Sequence, residues 1–322
     1  MSRAAGLALG FALDRLLGDP RRGHPVAGFG SLASSLERAT WSDRRSAGMV
    51  HVAVLVGGAA ALGLAAEQVR RPLAHTAIVG VATWAVLGGR SLDREAAAVE
   101  QLLVAGDLAG ARVRVRHLVG RDTRSLSADE VARAAIESVA ENTSDAVVSS
   151  LVWGAVAGVP GLLGHRAANT LDAMVGHRSA RYRRFGWAAA RFDDLVNLPG
   201  SRLSAALACV LGADRAGAVR AWRRDASAHP SPNAGPVEAA FAGALGISLG
   251  GRNVYGPPGE EWTEDRAVMG GGAPPTVIDL GRARHLATRV DLAATGVAIA
   301  LAAVRSGWRR GSVLDDVATL GP

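Results

Sequence analysis

Residues 47–66 read AGMVHVAVLVGGAAALGLAA, twenty positions with no formal charge apart from a protonatable His51. A charge-free run of about 20 residues is what a hydrocarbon core of roughly 30 Å requires of a helix. The stretch therefore predicts a membrane span near 47–66. A second run, Leu73 to Gly89, follows a short turn holding Glu67, Arg70, Arg71 and Pro72, so 47–66 and 73–89 together predict a transmembrane hairpin. A third span is predicted near 290–304, with Asp291 at its start and Arg305, Arg309 and Arg310 behind it. The runs at 4–17, 146–164 and 203–213 are weaker. They are shorter, carry Asp14 and Arg15, or are interrupted by Pro160, and read equally as buried helices or re-entrant segments. No alternating β-branched run bounded by turns occurs, and Gly250 to Pro275 shows no periodicity and reads as a long loop. The predicted fold class is all-α: a polytopic integral membrane protein with cytoplasmic helical and loop segments, organised as one domain over 1–322.

Composition agrees. The 322 residues are 49% hydrophobic and 20% charged, against about 25% charged in ordinary globular chains. The net charge is +7, and every basic side chain is Arg, because the chain has no Lys. That excludes a Schiff-base Lys and a phosphate loop ending in Gly-Lys. A single Cys, Cys209, excludes a disulfide framework, a paired-Cys zinc site and an iron–sulfur cluster. Arg21, Arg22, Arg38, Arg44 and Arg45 precede the first run, and the stretch after Gly89 is richer still, whereas the hairpin turn has only Arg70 and Arg71. The positive-inside rule then places both feet of the hairpin in the cytoplasm. Trp41, Trp84 and Trp308 fall at or near the ends of spans. His51 and His75 lie inside the spans, where the simplest expectation is that they partner each other across the hairpin. The Arg residues sit beside apolar runs without aromatic interleaving, which argues against a nucleic-acid partner.

Between the spans, Ser127-Ala128-Asp129-Glu130 is a capping box that opens a helix. Along that helix Glu137, Glu141 and Asp145 recur every four residues, with Arg133 one turn earlier, so all share one face. The stripe, ending in Asn142, Ser144 and Asp145, reads either as a solvated acidic face or as carboxylates for Mg²⁺, which takes oxygen ligands. Asn169 and Asp172 lie one turn apart, ahead of His177, Arg178, Arg181, Arg183 and Arg184. Those guanidinium forks suit phosphate or carboxylate, or else anchor the chain at the membrane. Asp194 and Asn197 are again one turn apart. His229, Ser231 and Asn233 sit in a loop too rich in Pro to be helical, and Asp19-Pro20 with His24-Pro25 forms a similar turn near the amino end. Such a surface suits an anionic, phosphorylated substrate with a divalent cation, without naming a reaction.

The longer stretches carry a resemblance. GDP-x₃-HPV at Gly18–Val26, IESVAENTSD at Ile136–Asp145, the run Ala168–Asn197, Arg223–Gly246 and the following GGRNVYG resemble the CobD/CbiB family, over nearly the whole chain. The resemblance implies a multi-pass helical protein of the cell membrane, with its active side cytoplasmic. It implies an adenosylcobinamide-phosphate (cobinamide) synthase, joining aminopropanol or its O-phosphate in amide linkage to a propionate of adenosylcobyric acid, with ATP and Mg²⁺. Other corrinoid-pathway membrane enzymes become possible partners. On that reading Glu137, Glu141 and Asp145 hold Mg²⁺, and Arg178, Arg181 and Arg184 neutralise phosphates. His177 or His229 takes the proton of the amine. Asn142, Asn169, Asp172, Asp194, Asn197, Ser231, Asn233 and His24 bind or orient substrates. Ala146, Ser149 and Ser150 depart from the family pattern. For one site to draw on both sides of 146–164, that segment has to be broken or re-entrant, as Pro160 suggests. The alternatives are an AmpE-like membrane sensor and, less well matched, a transporter.

Overall fold

A computed structural model describes residues 2–20, 23–177, 179–256 and 261–318, with residues 306–318 as backbone alone. Arg21, Arg22, Arg178, Glu260 and the side chains of Trp308, Arg309 and Arg310 therefore lie outside the described residues. The helices are α1 (Ser2–Leu17), α2 (Pro25–Thr40), α3 (Arg45–Ala66), α4 (Pro72–Val86), α5 (Gly89–Val104), α6 (Leu108–Arg114) and α7 (Ala128–Asn142). They continue as α8 (Ser149–Ala157), α9 (Val159–Leu171), α10 (Trp187–Val196), α11 (Leu198–Leu211), α12 (Arg215–Asp225), α13 (Ala234–Leu245) and α14 (Val277–Ala318). Two strands, β1 (Ser248–Tyr255) and β2 (Trp262–Gly270), pair antiparallel. Packing divides the chain into two compact units: Met1–Leu87, Ser150–Asp193 and Ala294–Pro322 form one, Gly88–Ser149 and Asp194–Ala293 the other.

Among the described residues, three stretches are long and apolar enough to cross a membrane: Arg45–Ala66, Pro72–Val104 and Val277–Arg305. They contain the three runs expected as spans. Only 17% of the most apolar window of α3 is buried, and Met49, Val50, Val54, Leu62 and Leu64 are exposed along it. An apolar helix with so little protein around it is built for lipid. At 16 residues α1 rises about 24 Å, short of a span, and α11 with 14 residues is shorter still. The segment 146–164 is broken, as Pro160 suggested: α8 ends before Gly158, which sits at φ 74°, and α9 restarts with Pro160 in its first turn.

Small residues let the first unit's helices touch backbone to backbone. A Cβ on Gly6 of α1 would lie 2.5 Å from Val79 Cβ of α4, and one on Gly10 would lie 2.6 Å from the Gly80 carbonyl oxygen. This is the small-x₃-small packing that membrane helices use where no hydrophobic drive exists between them. Glu67, at the end of α3, gathers the neighbouring helices. Its Oε1 accepts from the Val159 amide at 3.0 Å and from Arg3 at 3.3 Å, while Oε2 lies 3.1 Å from His75 Nε2. Burial alone would raise the Glu67 carboxyl, but the Val159 amide, His75 and Arg3 outweigh it and hold it below the usual carboxylate range. His75 is thus partnered by Glu67, and His51 packs against Phe185 with ring centroids 5.1 Å apart. The expected His51–His75 pairing is corrected: each ring meets a different element.

In the second unit α7 opens on the expected capping box, with the Ser127 hydroxyl accepting from the Glu130 amide and Glu130 Oε2 accepting from the Ser127 amide. At the start of α14, Arg284 is ion-paired with Asp93 and Glu100 of α5. The loop expected over Gly250–Pro275 is corrected as well. Its first part is the β1–β2 hairpin, running from Ser248 opposite Gly270 to Tyr255 opposite Trp262, with an irregularity between Leu249 and Gly251. Gly250 and Gly251 there adopt φ 90° and 89°, conformations open to Gly and closed to most L residues. Two such residues in succession bulge the strand and erase the alternation by which a strand is read.

Candidate functional site

Within the second unit, charged side chains converge between α7, α13 and the hairpin. Glu137 sits on the buried face of α7, 2% exposed, and both its oxygens are occupied. Arg121 donates to Oε2 in a short charged contact, and the amide of Gly250 donates to Oε1 at 2.8 Å. The positive φ of Gly250 at the strand bulge accompanies that amide contact. Arg121 also donates to Asn253 Oδ1 of β1 at 2.6 Å. A buried Arg–Glu pair thus fastens the hairpin to α7.

One helical turn later stands Glu141, partly accessible in a region otherwise filled with protein. Burial raises its carboxyl above the usual range, Arg266 and Arg121 oppose the rise, and the charge of Glu137 adds to it. Facing the same region from α13 is Glu238, fully buried, with neither carboxylate oxygen receiving a hydrogen bond. Burial, then the charges of Glu137 and Glu141, push its carboxyl well above the usual range. A carboxyl in that setting holds its proton, because an isolated buried charge is far costlier than a buried neutral acid.

His229 completes the group. The Ser231 amide donates to His229 Nδ1 at 3.0 Å, which puts the neutral ring's proton on Nε2, 3.7 Å from Glu238 Oε1. Burial and then Arg266 hold the imidazole below its ordinary value, so the ring is neutral. Arg266 of β2 donates to Glu264 at 2.9 Å and to the Tyr255 hydroxyl at 3.1 Å, and Tyr255 stacks on Trp262 with centroids 4.5 Å apart. The hairpin thus delivers one fixed guanidinium to the acid cluster.

The remaining residues proposed from the sequence separate. In the same unit, Asn142 turns its amide back onto Ser138. Asp145 lies in a π-helical turn, Thr143–Val148, wound more widely than the α-helix that precedes it. Ser231 caps α13, its hydroxyl accepting from the Asn233 and Ala234 amides at 3.2 and 3.1 Å. Asn233 ties that cap to Ser201, Arg202 and the Asp194 carbonyl. Asn197 is wholly buried at the start of α11.

In the other unit, His24 accepts from the Val26 amide and caps α2. Arg166 donates to Asn169 at 3.4 Å. Asp172 opens a second π turn, Asp172–Gly176, and His177 packs edge-on against Tyr182. Arg181 is engaged by Glu37 at 2.9 Å and lies 4.5 Å over the Trp41 ring, whereas Arg184 stays exposed, 3.9 Å from Asp43. That unit also holds an apolar cavity of about 310 Å³ between α2, α3, α4 and α9, with Arg166 and Thr170 its polar lining.

Sequence reasoning missed Glu238, Arg121 and Arg266. Glu238 had a visible signal: it is the sole ionisable residue of α13, AGPVEAAFAGAL, and a lone acid inside an apolar helix is seldom there for solubility. Arg266 lay in what read as a loop, and Arg121 carried no signal.

These features define a class: a helical protein with membrane-length segments that keeps a closed, partly uncompensated acid cluster beneath a small hairpin. Comparison with known proteins gives the family. The family model described as CobD/Cbib protein matches residues 7–287, and the chain belongs to that family. A relative from Mycobacterium tuberculosis, called cobalamin biosynthesis protein CobD, is 49% identical over 304 residues, covering 93% of this chain and 96% of its own. Relatives of the same name from Chromobacterium violaceum and Rhodobacter capsulatus are 46% and 41% identical, covering 90% and 94% of this chain and 93% and 98% of their own lengths. No solved structure matches this chain.

Proposed function

We propose that this chain acts in cobalamin biosynthesis as a membrane-bound, multi-pass ligase with its active side in the cytoplasm. It joins aminopropanol, or its O-phosphate, to a propionate carboxylate of adenosylcobyric acid, and ATP is the co-substrate that activates the carboxylate. The observation that carries the reading is the acid cluster of Glu137, Glu141 and Glu238 with His229 and Arg266. A buried carboxyl with no donor to either oxygen destabilises the fold, and a chain without chemistry to perform gains nothing by keeping it. A membrane sensor has no use for such a cluster, which favours the enzyme over the AmpE-like alternative.

The carboxylates assigned to Mg²⁺ from the sequence do not fit that ion as a set. Glu137 has both oxygens engaged. Among the described residues no three His, Cys, Asp or Glu side chains form a group that could hold a metal ion. Glu238, facing the same region from α13, is fully buried, and Mg²⁺ keeps several waters that such a position leaves no room for.

The chain's own residues have clear tasks. The Arg121–Glu137 pair and the Gly250 amide fix the hairpin, the hairpin fixes Arg266, and Arg266 sets the charge balance at Glu141. ATP phosphorylates the corrinoid carboxylate, and the acyl phosphate is then open to attack by an amine. The test is genetic: a cobalamin auxotroph lacking this amidation regains growth with this gene, or with cobinamide fed in its absence. Failure of a membrane-inserted wild-type chain to rescue, while cobinamide still does, removes the reading.

A further inference from the structure

Arginines gather at the amino end of α3. Residues 37–47 and 179–187 carry Arg38, Arg44, Arg45, Arg181, Arg183 and Arg184 against two acids, Glu37 and Asp43. Packing holds the two stretches together. A Cβ on Gly48 of α3 would collide with the Phe185 carbonyl, and the buried Phe185 ring joins Ala33, Val52 and Leu55 in one apolar cluster. The turn before Phe185 is closed by the Ser179 carbonyl, which accepts from the Tyr182 and Arg183 amides at 3.2 and 2.9 Å. Arg45 then lies 4.9 Å over the Trp187 ring and Arg181 lies 4.5 Å over Trp41. Each of these ring contacts pairs a residue of one stretch with a residue of the other.

The surface so formed keeps an excess of positive charge. Arg44, Arg45, Arg181, Arg183 and Arg184 are exposed, as are Trp41 and Trp187. Glu37 is buried and taken by Arg181 and the Tyr182 hydroxyl, and Asp43 stands 3.9 Å from Arg184. The charge does not serve α3 itself, because cations at the amino end of a helix oppose its dipole and the first turn holds no acid to answer them. One turn beyond Arg45, Met49 and Val50 are bare, and Val54 follows. A cationic rim with two indole rings therefore runs into an uncovered apolar helix within about 6 Å.

We propose that this rim binds the anionic phosphodiester headgroup of a membrane phospholipid, whose acyl chains lie along the exposed face of α3. This rests on the reading of α3 as a membrane span. A free phosphate or an acidic protein segment matches the guanidinium groups but leaves Met49, Val50 and Val54 uncovered. A zwitterionic lipid covers the helix but brings its own cation against the arginines. An anionic amphiphile meets both halves of the surface. Arginine forks donate paired N–H groups to phosphate oxygens, and indole rings settle at headgroup level. A basic cluster beside a membrane helix attracts anionic lipid, each Arg near the surface being worth about fivefold in binding.

The experiment titrates the purified full-length chain, in neutral detergent, with short-chain phosphatidylglycerol, short-chain phosphatidylcholine and inorganic phosphate, and reads binding from Trp fluorescence. Phosphatidylglycerol is expected to bind at least 10-fold more tightly than phosphatidylcholine, and added salt should weaken it. The double variant Arg44→Gln with Arg45→Gln should lose about 25-fold of that affinity, and Arg183→Gln, in the other stretch, about fivefold. Arg220→Gln, an exposed Arg of α12, should bind as wild type does. Arg183→Gln decides the matter if the double variant fails to fold. Equal affinity for the two lipids, or unchanged affinity in Arg183→Gln, overturns the proposal. Displacement of phosphatidylglycerol by an equal concentration of inorganic phosphate also overturns it, because it gives the guanidinium groups to a soluble anion. Release of the wild-type chain from membranes by alkaline carbonate removes the spanning reading on its own, and the lipid titration still decides whether the rim prefers an anionic headgroup.

Discussion

Glu238→Gln changes one atom type in the most buried acid of the cluster and removes its titration. Glu238 is fully buried with both oxygens lacking donors, and burial followed by the Glu137 and Glu141 charges pushes its carboxyl well above the usual range. The sign follows from linkage. A group whose folded-state value is raised binds its proton more tightly folded than unfolded. Its contribution is complete below the unfolded value near 4.5 and is lost as pH rises towards the folded value. Through that window the folded chain carries one more proton than the unfolded chain, a slope of about 1.4 kcal/mol per pH unit. With an unfolding entropy of roughly 2.1 cal/mol/K per residue over 322 residues, that slope is about 2 °C of apparent Tm per pH unit. The assay is thermal unfolding in detergent from pH 5 to pH 7, wild type against Glu238→Gln. Glu141, whose charge acts on Glu238, is taken out of the comparison by repeating it in a Glu141→Gln background. Wild type should lose apparent Tm relative to the variant as pH rises, and the variant should be the more stable protein at pH 7. Parallel curves would refute the reasoning, since they would mean that Glu238 titrates at an ordinary value.

Three further outcomes follow from the same geometry. Glu137→Gln leaves Arg121 buried without its charge partner, which should cost about 3–5 kcal/mol and open the β1–β2 hairpin to limited proteolysis; unchanged stability and protection would contradict the clamp. Gly250→Ala sets a Cβ 2.2 Å from the Ala267 carbonyl oxygen at φ 90°, and should destabilise by roughly 1–3 kcal/mol while cutting activity through the misplaced hairpin, seen in unfolding and turnover together. Gly10→Ile in α1 forces side-chain atoms against the Gly80 carbonyl and Thr83 of α4, and should abolish recovery of folded chain from membranes while Gly57→Ala, at an open position of α3, does not.

What could be read from the amino acids was whatever repeats locally. The charge-free run at 47–66 is a helix because length and apolarity decide that alone, and the capping box at Ser127 forms because its four residues suffice. Glu137 and Glu141 were found because spacing of four marks a helix face. A π turn at Thr143–Val148 inserts a wider winding that no spacing rule shows, and the same device recurs at Asp172–Gly176; such turns gather at functional sites. The hairpin was hidden by two successive glycines whose positive φ replaces side-chain alternation. The partners were hidden by distance along the chain: Arg121 meets Asn253 across 132 positions, and Arg181 meets Glu37 across 144. Glu238 was legible as an acid out of place, but its company was not.

Mass spectrometry of one reaction tests the central claim most directly: purified chain, adenosylcobyric acid, ATP–Mg²⁺ and either aminopropanol or its O-phosphate. The account expects a corrinoid heavier by the amine less one water, formed with one ADP per product. A folded wild-type chain that leaves the corrinoid mass unchanged with both amines would contradict it.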